Sequence, residues 1–96
     1  MQINFLFKKP EPPKTKVHVL KSWPQFMDSF EDGSLTFDIR INDRSFQRGD
    51  FLVLREFDQH KKEYVPHGRT FKFTITYVLS GWGVAPGHVG LALQRH

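Results

Sequence analysis

The 96-residue chain contains no cysteine, which excludes a disulfide framework, a thiol nucleophile and a zinc site of the cysteine type. No apolar run approaches the roughly 18 residues of a membrane span. The opening Met1-Gln2-Ile3-Asn4-Phe5-Leu6-Phe7-Lys8-Lys9 lacks a basic leading region, and its apolar stretch is too short for a signal peptide. A soluble, cytoplasmic protein without membrane contact is expected. Walker-type and dinucleotide-binding glycine patterns are missing, as is a G-x-S-x-G elbow. The five histidines show no metal-ligand spacing; His60 and His67 stand seven apart in a polar stretch. No catalytic residue, metal or cofactor is assigned on these grounds.

Aromatic residues, by contrast, are abundant. Ten Phe, two Tyr and two Trp make up 15% of the chain, and large rings supply the buried area that a small domain needs to fold by packing alone. The formal net charge is +4, which on its face invites nucleic acid as a partner. The charge is unevenly placed. Residues 1–16 carry Lys8, Lys9, Lys14 and Lys16 against Glu11, whereas residues 17–96 hold ten Lys and Arg against nine Asp and Glu. The basic excess therefore belongs mostly to an N-terminal arm over 1–16. Pro10, Pro12 and Pro13 make that arm extended rather than helical. Ahead of them, the alternation of Ile3, Phe5 and Phe7 suits a short edge strand that could add to this domain's sheet or to a neighbour's. The expectations for the arm are a mobile segment, a phosphate-touching arm or a docked strand, here or on a protein partner.

From residue 17 the pattern predicts one α+β domain. Val17–Lys21 reads as a first strand. Ser22 is placed to cap a short helix, with Pro24 in its first turn and Trp23, Phe26, Met27 and Phe30 on one apolar face. Trp23 is expected in the core, and Gly33 ends the helix. Strands follow at 36–42, with Phe37, Ile39 and Ile41 on one face, and at 51–57, apolar on both faces at its start. The longest strand signal, 70–78, puts Phe71, Phe73, Ile75 and Tyr77 on one face. A last strand runs over 88–93, after the glycine-rich Ser80–Gly87 loop. One helix and five or six mostly antiparallel strands predict a small, partly closed barrel with the helix plugging one side.

Asp38, Arg40 and Asn42 share the other face of their strand. They form either a solvated outer row or the lining of a cleft in which Arg40 offers a planar fork to phosphate or a base edge. Arg44 and Arg48, each near an acid, either brace the following loop or form a phosphate-contacting rim. Trp82, between Gly81 and Gly83, either stacks on a base or folds back as packing.

The run Gly33-Ser34-Leu35-Thr36-Phe37-Asp38-Ile39-Arg40, placed after a short helix, resembles the G-x-K-x-x-E-x-R signature of ASCH domains in the PUA-like superfamily. Asn42-Asp43-Arg44-Ser45-Phe46-Gln47-Arg48-Gly49-Asp50, followed by Leu52-Val53-Leu54-Arg55-Glu56, resembles one branch still more closely, a set of small phage and bacterial domains. His18, Leu20, Lys21 and Trp23 match its opening, and Tyr77-Val78-Leu79 with Gly87-His88-Val89 its close, so the resemblance spans roughly 17–95. It implies a PUA-like barrel with one short helix before the second strand, and a cleft beside the signature that binds RNA or modified nucleosides. Some small relatives hydrolyse an amide on an acetylated cytidine with the signature lysine. Here that position is Leu35, which can be neither base nor nucleophile, and the glutamate position is Asp38. The resulting expectation is a non-enzymatic nucleic-acid-binding module, RNA preferred, acting through Lys21, Asp38, Arg40, Asn42, Arg44, Arg48 and Trp82. The alternatives are a phage-type inhibitor of a host protein and, third, a hydrolase of a modified nucleoside. A monomer or weak dimer is expected.

Overall fold

Alternating burial along five of the strands curls one sheet around a core roofed by the helix. The computed structural model describes residues 15–96, so the strand and proline segment expected over 1–14 lies outside the described residues. The elements are β1 (Val17–Ser22), α1 (Pro24–Glu31), β2 (Phe37–Ile41), β3 (Phe51–Asp58), β4 (Glu63–Tyr64), β5 (Thr70–Leu79) and β6 (His88–Arg95). The sheet runs β1-β3-β5-β6-β2, with β4 added to the end of β3. β1 pairs β3 in parallel, and every other pairing is antiparallel. This is the α+β domain that the pattern predicts. β1 and β2 stand at opposite ends of the strand order, so the sheet is not closed by backbone pairing between them.

The core follows from which side chains point inward. His18, Leu20 and Ser22 of β1, Leu52, Leu54 and Glu56 of β3, Phe73 and Ile75 of β5, and Val89, Leu91 and Leu93 of β6 are buried. Met27 and Phe30 of α1 and Phe46 of the β2–β3 connection close over them. Phe30 meets Phe73 with ring centroids 5.3 Å apart, within the range of favourable aromatic pairs.

Two polar anchors complete this interior. Asp50 is buried, and its carboxylate accepts hydrogen bonds from His18 Nε2 (2.8 Å), Gln47 N (3.0 Å) and Lys16 N (3.2 Å). Gly49 takes φ +93 just before it, a backbone state that glycine adopts without strain. Glu56 is buried at the far end of β3 and accepts from Arg69 N (3.0 Å) and the Arg69 guanidinium. That guanidinium also donates to Asp28 and Glu31 of α1, at 2.7 Å each, and to Pro24 O at 3.3 Å. Arg69 thereby ties helix to sheet. Arg95 fastens the C-terminal end of α1, donating to the backbone carbonyls of Phe30 (3.2 Å) and Glu31 (3.1 Å) in its last turn.

Three local expectations need correction. Ser22 does not cap α1: it is the last, buried residue of β1, and Trp23 is the N-cap with no side-chain cap bond. Pro24 at the first helical position makes that tolerable, since its missing N–H leaves one donor fewer to satisfy. Tyr77 does not share the inward face of Phe71, Phe73 and Ile75. A register shift between Ile75 and Tyr77 turns the strand by one residue, so that Val78 packs on the core and Tyr77 points outward. Of the four apolar helix residues only Met27 and Phe30 are buried, while Phe26 is exposed.

A cleft between the two sheet edges

β2 is read from its pairing. Asp38 and Arg40 stand opposite Leu91 and Val89 of β6, both buried, so they share the inward face. Phe37, Ile39 and Ile41 stand opposite Ala92, Gly90 and His88 and face out. The Asp38–Arg40 pair is thus not a solvated outer row, and of the two only Arg40 lines a cleft. The row does not continue to Asn42, which is exposed and donates its backbone N–H to Gly87 O at 2.8 Å.

Arg40 spans the gap left by the open sheet. Its Nε donates to Asp38 Oδ2 at 2.7 Å and its Nη2 to the backbone carbonyl of Lys21 on β1 at 2.9 Å. The guanidinium is thus a clasp between the two free edges, a structural task that its position in the chain did not disclose. Burial pushes the Asp38 carboxyl above its ordinary range, and Arg40 beside it only partly opposes that rise.

Around this clasp lies a cleft of about 580 Å³. One wall is β1, with Val19, Leu20 and Lys21; the opposite wall is Ile39, Arg40 and Ile41 of β2. Trp23, Phe26 and Tyr64 add aromatic surface, and Asp43, Arg44, Phe46 and His88 complete the lining. The aromatic side is built in layers. Phe57 packs against Trp23 (5.8 Å between centroids) and edge-on against Tyr64 (5.3 Å). Lys21 Nζ stands 4.4 Å from the Phe57 ring centre, and the Arg55 guanidinium 4.0 Å from that of Tyr64. Two cations therefore sit over this ring cluster, of which Lys21 lines the cleft. Arg44 lies at the other end, with only a loose 3.9 Å approach to Asp43.

Of the residues singled out from sequence, Lys21, Arg40 and Arg44 line this one concavity, and Asp38 supports Arg40. Asn42 and Arg48 are exposed outside the lining, and Trp82 is 91% exposed in the β5–β6 loop, also outside it. Sequence reasoning missed Phe26 and Tyr64 as cleft residues and read Trp23 as core. The available signal was the tight strand–helix junction Lys21-Ser22-Trp23-Pro24: a helix that begins one residue after a strand holds its first turn beside that strand's edge.

Leu35 packs against the hydrophobic core. The cleft accordingly offers apolar and aromatic surface, cationic ends and one rim carboxylate, which suits binding of a flat, anionic ligand.

Residues 17–92 match the model of the family described as "Domain of unknown function (DUF3850)". The chain belongs to that family. A search of the curated proteins finds no match to it.

Proposed function

We propose that the domain binds single-stranded nucleic acid, RNA preferred, in the cleft between β1 and β2, as a PUA-like, ASCH-type module whose partly closed barrel leaves that cleft open. One observation carries the reading: exposed aromatic surface and two cations with no short carboxylate contact meet in the same concavity. Phe26, Trp23 and Tyr64 offer faces for unstacked bases, and Lys21 and Arg44 lie at its two ends to take phosphates. Arg40 is committed to Asp38 and to the Lys21 carbonyl; it shapes the wall and adds positive potential. A duplex is too wide for a cleft of this size, whereas one or two splayed nucleotides fit it. The domain acts by binding alone, since the place where relatives carry a reactive lysine is filled by a packed leucine.

The test is fluorescence anisotropy with a short labelled single-stranded RNA, at two salt concentrations. Lys21→Ala with Arg44→Ala should weaken binding by an order of magnitude or more. It should also flatten the salt dependence, since each lost phosphate contact removes about 0.7 from the log–log slope for a single strand. Both side chains are exposed and neither anchors the core, so the melting temperature should hold. Unchanged affinity and slope would remove the cleft from the binding surface.

A further inference from the structure

The outward face of β5, β6 and β2 is apolar and uncovered among the described residues. Register places Tyr77–Ala92–Phe37 and Leu79–Gly90–Ile39 in two rows across the three strands, with His88–Ile41 beyond them. Phe37, Ile39, Ile41 and Tyr77 are 55%, 54%, 61% and 57% exposed and Leu79 36%. None of these eight residues is Asp, Glu, Lys or Arg. The relief of the face is as telling as its composition. β6 contributes only Gly90 and Ala92 in the middle, and Val84 lies over Gly90, so the shallow trough along that strand is open at Ala92. It is flanked by a ridge from β2 and another from β5. Neighbouring strands lie about 4.8 Å apart, which sets the ridges roughly 10 Å from each other. Val84 lies against this surface over Gly90, within 3.9 Å of where a side chain there would begin, and so brings the loop that bears Trp82 to the same face.

We propose that this face is the interface of a homodimer formed by two-fold packing of one sheet on another. Phe37 on the β2 ridge of each copy would lie over Ala92 in the β6 trough of its partner. Three features favour a second copy over another occupant. A ridge beside a trough is its own complement under a two-fold rotation. The absence of formal charge removes self-repulsion at the axis and offers nothing to select an acidic or basic partner. The exposed area of Phe37, Ile39, Ile41, Tyr77, Leu79 and Trp82 is on the order of 700 Å², close to the roughly 800 Å² that each side contributes to a standard interface. The inference does not rest on the nucleic-acid reading, but Ile39, Ile41 and His88 also line the β2 side of the cleft, so the dimer would border that site.

The test is light scattering coupled to gel filtration on the full chain, from micromolar to near-millimolar concentration. The mass should rise with concentration towards twice the 11.3 kDa of one chain. Phe37→Lys and Tyr77→Lys, on different strands of the face, both exposed and both outside the cleft lining, should each raise the dissociation constant at least tenfold. Both should keep the parental circular dichroism and melting temperature. Lys61→Glu, in the β3–β4 turn, should leave the dimer intact. A chain that stays at 11.3 kDa throughout overturns the proposal, even if the face is found to bind a peptide, another protein or a lipid surface. So does a dimer that neither lysine substitution weakens.

Discussion

Asp50→Ala is expected to destabilise the domain by about 3–5 kcal/mol, since it deprives three donors of their acceptor at about 1–3 kcal/mol for each one left buried. In a domain of this size each kcal/mol moves the melting temperature by roughly 4–8 °C, so the variant should melt well over 10 °C lower. The carboxylate does three jobs at once. It holds His18 in β1, fixes the start of β1 through Lys16 N, and closes the Gln47–Asp50 turn through Gln47 N. Truncation leaves those donors facing a cavity, and the His18 ring, tilted against Phe46 with centroids 4.7 Å apart, loses its polar partner.

The same group sets the acid limit of the fold. Burial alone would raise the Asp50 carboxyl. The hydrogen bonds from His18, Lys16 and Gln47 outweigh it and hold the group below its ordinary 3.8. The hydrogen bond from Arg69 likewise holds the Glu56 carboxyl below 4.5. A carboxyl with a lowered folded-state pKa stabilises the fold fully above its unfolded value, and that contribution drains as pH falls towards the folded value. Stability by urea denaturation should therefore be flat from neutral pH to about 5 and fall steeply below. Asp50→Ala should start lower and lose less. An equally steep acid limb in the variant would show that Asp50 does not set it.

Arg69→Leu should cost about 3 kcal/mol, and nearly all of it should trace to one of its three acidic partners. Glu56 is buried, so removing Arg69 strands a carboxylate in the interior. Asp28 and Glu31 are exposed and their pairs with Arg69 contribute up to about 1 kcal/mol each. A double-mutant cycle separates them. The coupling of Arg69 with Glu56, read against Glu56→Gln, should fall between about 1.5 and 3 kcal/mol, and that with Glu31 near 0.5. Coupling shared evenly between the two would mean that the guanidinium acts as a surface network, and that the helix does not depend on the buried contact.

Much of the fold was legible because burial in it is periodic. The alternation of Phe71, Phe73 and Ile75 on β5, and Met27 and Phe30 at i and i+3 on α1, lead directly to part of the observed core. The motif residues Phe46, Gly49 and Asp50 were also conspicuous, and they are fold determinants: a core ring, a glycine-only turn position and a buried anchor. What periodicity could not show was direction. Phe37-Asp38-Ile39-Arg40-Ile41 alternates cleanly, but alternation does not say which set meets the core. An edge strand beside an open cleft can turn its charged pair inward when one of the pair clasps the opposite edge, as Arg40 does. Tyr77 escaped for a related reason, since a one-residue bulge exchanges the faces of everything beyond it. In the candidate site, Lys21, Arg40 and Arg44 could be named from residue type and position. Phe26 and Tyr64 could not, because they reach the cleft from α1 and β4, 38 residues apart in sequence.

The central claim, that nucleic acid enters the cleft between β1 and β2, is tested most directly by titrating the isotope-labelled full chain with short single-stranded RNA and following its amide and side-chain resonances. The shifts should cluster at Lys21, Trp23, Phe26, Arg40, Arg44 and Tyr64, while Tyr77, Leu79 and Gly90 of the outer face stay unmoved. Shifts confined to the outer face, to Trp82 or to the residues before 17, with the cleft resonances unchanged at saturating RNA, would contradict it.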